Sequence, residues 1–446
     1  MANAINSTAA DSGNGPQLYT ASPDKYVSLG DLVNGTKDDV RDIYVSAYGD
    51  QGLSGLVEII GAKKSAGTSD ETVWFEEGRL GRRVTMSTAG AVTKIDGASN
   101  TSEAAALRKY DVLLNGAARV IITNDAADGE AYTAVDMTDG SAYTFLAAEY
   151  TVIGNAYPQG SNQPARPFSP RLTRYANPFT IVKESFHVSG SQASNIGWVN
   201  VGGQNMWYLK GELDARRKFM NMREGMLVFG EKNSSGTPPA FGAGVTGSEG
   251  YVAAVTARGG IATNPFESAF NATDSFDAII VEIDKQGAPA ESALYLNRAL
   301  SIACDNQIAA AGLGGTGIGL SAAYGAFNND KDMAVAMGFK SFTRGGYTFH
   351  KHDWKLLNDP AAGGASDVKG ALIPLSVIVD AKTGNSHHSL EMNYKSAGNY
   401  SREMEHWVEG GGVLGYNTGG EDLAKFNYRS ECNLCVRGAN QHFLFK

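Results

Sequence analysis

Cysteine is scarce: Cys304, Cys432 and Cys435 are the only three in 446 residues. Three thiols make no disulfide framework, so a reducing site of folding is the expectation. Cys432-Asn433-Leu434-Cys435 has C-x-x-C spacing, but no second pair completes a zinc site. On a strand these two thiols point to opposite faces, so buried thiols are expected. Long apolar runs are also missing; none approaches the roughly 20 residues that a membrane span needs. The first residues have neither the charged start nor the apolar segment of a signal peptide. The expectation is a soluble protein made in a cytoplasm, with no membrane partner. Positive charge is nowhere concentrated. The formal net charge is −9, with acids and bases interspersed and no arginine-rich block. That excludes tight binding of nucleic acid through phosphate neutralisation. The familiar catalytic signatures G-x-x-x-x-G-K-[ST], G-x-S-x-G and H-E-x-x-H are absent as well. No enzyme activity, cofactor or metal is therefore expected.

Two stretches come near to such chemistry. Gly312-Leu313-Gly314-Gly315-Thr316-Gly317 satisfies G-x-G-x-x-G, but the nucleotide fingerprint needs a strand before it, and here a helical pattern precedes it. A flexible loop is the better reading. His350-Lys351-His352-Asp353 offers two imidazoles and a carboxylate, a set that metals accept. On a strand His350 and His352 share one face while Asp353 turns away. A cytoplasmic metal-dependent hydrolase using these three residues is the alternative from another functional class.

What the sequence has in abundance is glycine, 54 residues, which suits short strands and tight turns. Its longest helical pattern is residues 204–230. One apolar stripe there runs Met206, Leu209, Leu213, Met220, Leu227; a second runs Ala215, Phe219, Met222, Met226. Lys210, Glu212 and Asp214 stand four residues before Asp214, Arg216 and Lys218. Such a helix reaches about 40 Å. Gly211 and Gly225 each cost it about 1 kcal/mol against alanine, so tertiary packing must hold it; truncating Leu213 or Phe219 to Ala would cost about 2–5 kcal/mol if that packing buries them.

Residues 82–154 alternate short β-prone runs with the turn signals Asn115-Gly116 and Asp139-Gly140, and read as a separate β-rich module with one short helix at 102–110. A proline-rich stretch, 155–170, follows as a linker. Residues 289–311 read as a helix opened by Pro289. Residues 276–283 fit a helix or a buried strand. Residues 339–343 and 347–350 read as a hairpin about Gly345-Gly346. Strands are expected at 372–380, 390–394, 426–436 and 442–445, with a short helix or turn at 402–406. Trp74 and Phe75 lie on an otherwise polar extension and want a surface to cover them.

The run Tyr48-Gly49-Asp50-Gln51-Gly52, its apolar continuation to Ala62, and Val73-Trp74-Phe75-Glu76-Glu77-Gly78-Arg79-Leu80 resemble the N-terminal arm of major capsid proteins from crAss-like and related short-tailed bacteriophages. The resemblance continues through Phe186-His187-Val188-Ser189, then Glu224 to Gly230 at the close of the long helix, then Arg258-Gly259-Gly260. It implies an α+β chain of the Hong Kong 97-type phage capsid fold. Residues 1–61 would be an N-terminal arm. Residues 62–198 would be an extended loop carrying the inserted β-rich domain 82–154. Residues 199–235 and 372–446 would form a peripheral domain with the spine helix 204–230, and 236–371 an axial domain.

The resemblance further implies a structural protein, a major capsid protein whose hexamers and pentamers close into an icosahedral shell around packaged double-stranded DNA. The virion would be assembled in the host bacterial cytoplasm. Trp74, Phe75, Arg79, Phe186, Leu213 and Phe219 would serve assembly. Portal and decoration or scaffolding proteins would be partners, and the DNA would be a neighbour without specific contacts. Within the same fold, an encapsulin-type nanocompartment shell is the second reading.

Overall fold

The strand Leu423–Val436 is the axis of the fold. The structure is a computed structural model. It describes residues 63–65, 69–78, 81–96, 98–99, 107–126, 130–164, 172–191, 200–201, 204–205, 207–232, 245–263, 265–266, 276–313, 341–375, 377–379, 386–410 and 420–446. These fall into two units, Met1–Val73 with Ala176–Lys446, and Trp74–Tyr175.

In the first unit, strand Leu423–Val436 is paired along both edges. Thr180–Ser189 runs antiparallel to it from Thr180 opposite Cys432 to Ser189 opposite Leu423. On the other edge lie Leu390–Tyr394, against residues 432–436, and Glu405–Gly410, against residues 424–429. Lys63–Ser65 adds to the sheet in parallel with Leu390–Tyr394. Along the axial strand Ala424, Phe426, Tyr428, Cys432, Leu434 and Val436 alternate onto the apolar face. The long helix Trp207–Phe229 lies over one half of that face, where Phe219 stacks on Tyr428 at 5.7 Å in a cluster with Val182, Val188, Ala424 and Phe426.

A second, mixed sheet has the spatial order Gly260–Ala262, Phe443–Phe445, Gly370–Pro374, Glu291–Leu296, Tyr347–Asp353, Ser341–Arg344. It is apolar on both faces, as a sheet covered on both sides must be. Leu294, Leu296, Phe349, Leu372, Phe443 and Phe445 pack with helices Phe276–Lys285 and Arg298–Leu313. Ala293, Ala371, Ile373 and Leu444 turn the other way, onto Tyr251, Ala254 and Val255 of helix Tyr251–Arg258 and onto Leu227 and Val228 at the end of the long helix. Leu390, Met392, Cys432, Leu434 and Val436 of the first sheet belong to that same cluster. One core therefore joins the two sheets.

The second unit is an eight-stranded antiparallel sheet over its own core of Val84, Met86, Ile95, Leu107, Leu113, Val120, Ile122 and Tyr150. The hairpin turns expected at Asn115-Gly116 and Asp139-Gly140 lie between its strands.

Several expectations are corrected. Residues 289–311 are not one helix: Glu291–Leu296 is a central strand, and the helix begins at Arg298. A run apolar on both faces satisfies either period, and here pairing to Tyr347–Asp353 and Gly370–Pro374 decides it. Residues 276–283 resolve as helix Phe276–Lys285. Of the helix or turn expected at 402–406, the chain shows a bend at 403–404, and strand Glu405–Gly410 follows at once. Residues 107–110 form a turn with Tyr110 at φ 72°, not the end of a helix; residues 101–106 lie outside the described residues. The long helix starts at Trp207, because Gln204–Asn205 pairs with Asn200–Val201. The hairpin about Gly345-Gly346 is present, with φ of 59° and 84° at the two glycines, values that favour glycine over any residue with a Cβ.

His442 is fully buried at the entry to the last strand, with Nδ1 3.2 Å from the Tyr251 hydroxyl. Among the described residues its buried Nε2 has no hydrogen-bond partner. Burial pushes the imidazole down to about 3. An unfolded histidine takes its proton near pH 6.5. The unfolded state thus binds more protons between those two values, so this contribution to stability is complete above about pH 6.5 and is lost as pH falls towards 3. Replacing His442 by Gln is expected to lower the thermal midpoint at pH 7.5 and to flatten its fall between pH 7 and 4. Parallel pH profiles for the two proteins would refute the assignment.

Candidate assembly surfaces

The long helix is covered unevenly. Its second stripe begins buried, with Phe219 in the core and Ala215 packed against it, and ends open, with Met222 and Met226 exposed. Its first stripe does the reverse. Leu213, at 48% exposure, and Met220 are open, while Leu227 is buried at 3%. The physical reason is the change of support along the helix: the N-terminal half lies on the first sheet and the C-terminal half enters the core between the sheets. Different sides of the helix are therefore covered in its two halves, and each stripe finds partners over half its length. The condition of burial is thus met by Phe219 and not by Leu213.

Two helix positions have specific partners. A Cβ on Gly211 would stand 2.4 Å from the Phe186 ring, so the glycine admits the phenyl group that the strand Thr180–Ser189 brings up. Phe186 is half-buried, with its ring 6.2 Å from Phe426. Lys218 reaches across to Glu184 at 2.8 Å.

Strands Glu71–Glu77 and Leu172–Pro178 form a two-stranded ribbon. Trp74 is buried at 6%: its ring lies 5.8 Å from Tyr175, and its indole N–H donates to Glu76 Oε1 at 3.0 Å. The chain itself covers this tryptophan, so it needs no outside surface. Phe75 points the other way along the strand and is 63% exposed; Val73 and Leu172 are exposed as well. Arg79 lies outside the described residues. Thus Phe186 and Phe219 meet at the junction of helix and sheet, while Phe75 and Leu213 remain open.

The polar stretches resolve differently. His352 stacks on Tyr295 at 4.9 Å, and burial, with His350 beside it, lowers its pKa. Asp353 is engaged elsewhere, in an ion pair with Arg298 and a hydrogen bond from Asn358. Lys351 is held by Asp305 at 2.6 Å. The proposed metal set is therefore not gathered. Among the described residues no group of three or more His, Cys, Asp or Glu side chains could hold one ion. Cys432 and Cys435 are both buried. Cys432 faces the shared core, whereas Cys435 on the opposite face takes a contact from Asn393 at 3.1 Å, and burial pushes its thiol up to about 12. Neither is a reactive thiolate. Residues 314–317 of the glycine-rich loop lie outside the described residues, as do 1–62 with the arm. Among the described residues no helix is long and apolar enough to cross a membrane.

Sequence reading missed a buried polar joint. Asn177 is fully buried; its amide donates to Glu249 O at 2.9 Å and Leu434 O at 2.7 Å, and its Oδ1 accepts from Glu249 N at 2.8 Å. Asn433 donates to Asn177 O at 2.7 Å and Thr72 Oγ1 at 3.0 Å. These partners lie between 72 and 361 residues apart, so no local pattern marks them.

Truncating Phe219 to Ala is expected to cost the subunit about 3–5 kcal/mol. Truncating Leu213, already half exposed, is expected to cost no more than about 1 kcal/mol. Urea unfolding of the unassembled chain checks both, and a large Leu213 effect there would contradict the half-covered helix.

No protein-family model and no curated protein matches this chain. Solved structures do show likenesses. A chain of Gordonia phage Cozz matches at TM-score 0.43 and 8% identity, over 97% of this chain and 97% of that one. A chain of the bacteriophage PhiM1 mature capsid matches at 0.38 and 10%, over 92% of each chain. A chain of the cyanophage P-SCSP1u capsid matches at 0.38 and 8%, over 93% of this chain and 96% of that one. At these scores the likeness supports no step about individual residues or function.

Proposed function

We propose that this chain is a shell-forming structural protein, the major capsid protein of a tailed bacteriophage. The observation that carries this reading is the half-covered helix. Leu213, Met220, Met222 and Met226 form two apolar stretches that the subunit leaves open, and Phe75, Val73 and Leu172 stand exposed on a thin ribbon. Apolar groups in such number invite burial by further copies. The ordered resemblance of the sequence supports the same reading, and so does a long helix laid on a sheet built from the middle and end of the chain. On this reading the Hong Kong 97-type arrangement holds: arm, extended loop with inserted domain, peripheral and axial parts. Copies would form hexamers and pentamers closing into an icosahedral shell around double-stranded DNA. Portal and decoration or scaffolding proteins would join it. The role is assembly rather than catalysis, and Asp353, tied to Arg298, supports setting the hydrolase aside.

Negative-stain microscopy of the expressed protein, with mass per particle, tests this. Closed shells tens of nanometres wide, as assembled capsids are, would support it; small discrete oligomers under all assembly conditions would sink it. Shells that hold a cargo protein and no nucleic acid would favour the nanocompartment instead. Replacing Phe75 by Ser is expected to abolish shells while moving the subunit's thermal midpoint by less than about 2 °C. Shells formed as readily by that variant would remove Phe75 from the assembly surface.

A further inference from the structure

A short hairpin interrupts the first sheet. Strands Leu390–Tyr394 and Glu405–Gly410 both pair with Leu423–Val436, and between them the chain leaves the sheet, folds Ser396–Ala397 against Tyr400–Ser401, and returns. Residues 397–401 are all exposed, so no apolar core positions this excursion. At its base, Lys395 N donates to Glu431 O at 3.2 Å, Arg402 N to Lys395 O at 2.9 Å, and Glu431 N to Arg402 O at 2.9 Å.

Charges of alternating sign run through that base. Asp70, on the segment leading into the ribbon, meets Lys395 at 2.5 Å. Lys395 also faces Glu431 at 3.6 Å. Glu431 pairs with Arg402, Arg402 lies 3.8 Å from Glu405, and Glu405 pairs with Arg429 at 2.5 Å. Arg429 closes the path by donating to the Tyr400 hydroxyl on the hairpin at 2.9 Å. The path holds three acids and three bases. Its middle is sheltered, with the Glu431 side chain 7% exposed, while its Asp70 end is 92% exposed.

Exposed pairs are weak and screened by salt, whereas sheltered ones are screened less. Lys395 is shared between the two regimes. Losing Asp70 leaves Lys395 to Glu431 alone, and Glu431 divides its oxygens between Lys395 and Arg402. A displacement at Asp70 thus changes the balance at Arg402, which sets the return of the hairpin.

We propose that Lys395, Glu431 and Arg402 form an ionic relay that couples the segment at Asp70 to the mobility of the hairpin Ser396–Ser401. It is a conformational device of the first unit, and it stands whether or not the shell reading does.

Hydrogen exchange of the full-length chain tests the relay as a cycle of variants. Asp70→Asn is expected to speed exchange of the Lys395 and Arg402 amides about threefold, the scale of an exposed pair. In an Arg402→Met background, Asp70→Asn is expected to add nothing. An Asp70→Asn effect that persists in full there, or no effect in the parent chain, overturns the proposal. Should Arg402→Met fail to fold, a salt series serves. Raising salt is expected to speed these amides in the parent chain and to leave Asp70→Asn nearly flat, and an equal salt response in both refutes the relay.

Discussion

Pairing of the strand Leu423–Val436 along both edges is the constraint on which the rest of the first unit depends. Side chains of a strand alternate, so a strand held on both edges must satisfy two faces at every step. Its apolar face is long enough to serve two cores in succession: Phe426 and Tyr428 under the long helix, then Leu434 and Val436 in the cluster shared with the second sheet. A slip of one residue would send all of these to the opposite face. Asn433, on that opposite face and bonded to Asn177 and Thr72, is the polar counterpart that the same slip would strand without partners.

The uneven cover of the long helix follows from this. A helix that crosses from one core into another turns different sides inward along its length, and what it leaves open is apolar because each stripe is continuous in sequence. The same logic applies to the ribbon. With only two strands it has one neighbour for each side chain, so Trp74 finds Tyr175 while Phe75, one residue on, is left 63% exposed. Exposed apolar groups arising this way belong to the architecture. They give the assembly reading its physical basis without calling on any catalytic group.

Two kinds of polar order hold the remainder. Deep joints such as Asn177 gain from a low-dielectric setting in which every bond is made, and they specify position more than they stabilise. Surface charge paths, such as that from Asp70 to Arg429, contribute little per pair but respond to their neighbours. The first sheet carries both, a fixed joint and a responsive edge.

Period and composition were enough to mark the long helix, the β-rich character of the second unit, the hairpin at Gly345-Gly346 and the terminal strands, because each is announced by local spacing or by turn residues with special backbone needs. They were also enough to place His350 and His352 apart from Asp353, since alternation along a strand is a local property. Tertiary structure alone decided that Glu291–Leu296 is a strand, for a run buried on both faces fits either period and only its neighbours choose. It alone decided that Phe219 is covered and Leu213 open, since a stripe read from sequence has no record of where its support ends. It also decided that Trp74 packs on its own unit, and that Gly211, a liability by propensity, is the gap that receives Phe186. In each case the partner lies far away in sequence, and burial is a property of the pair.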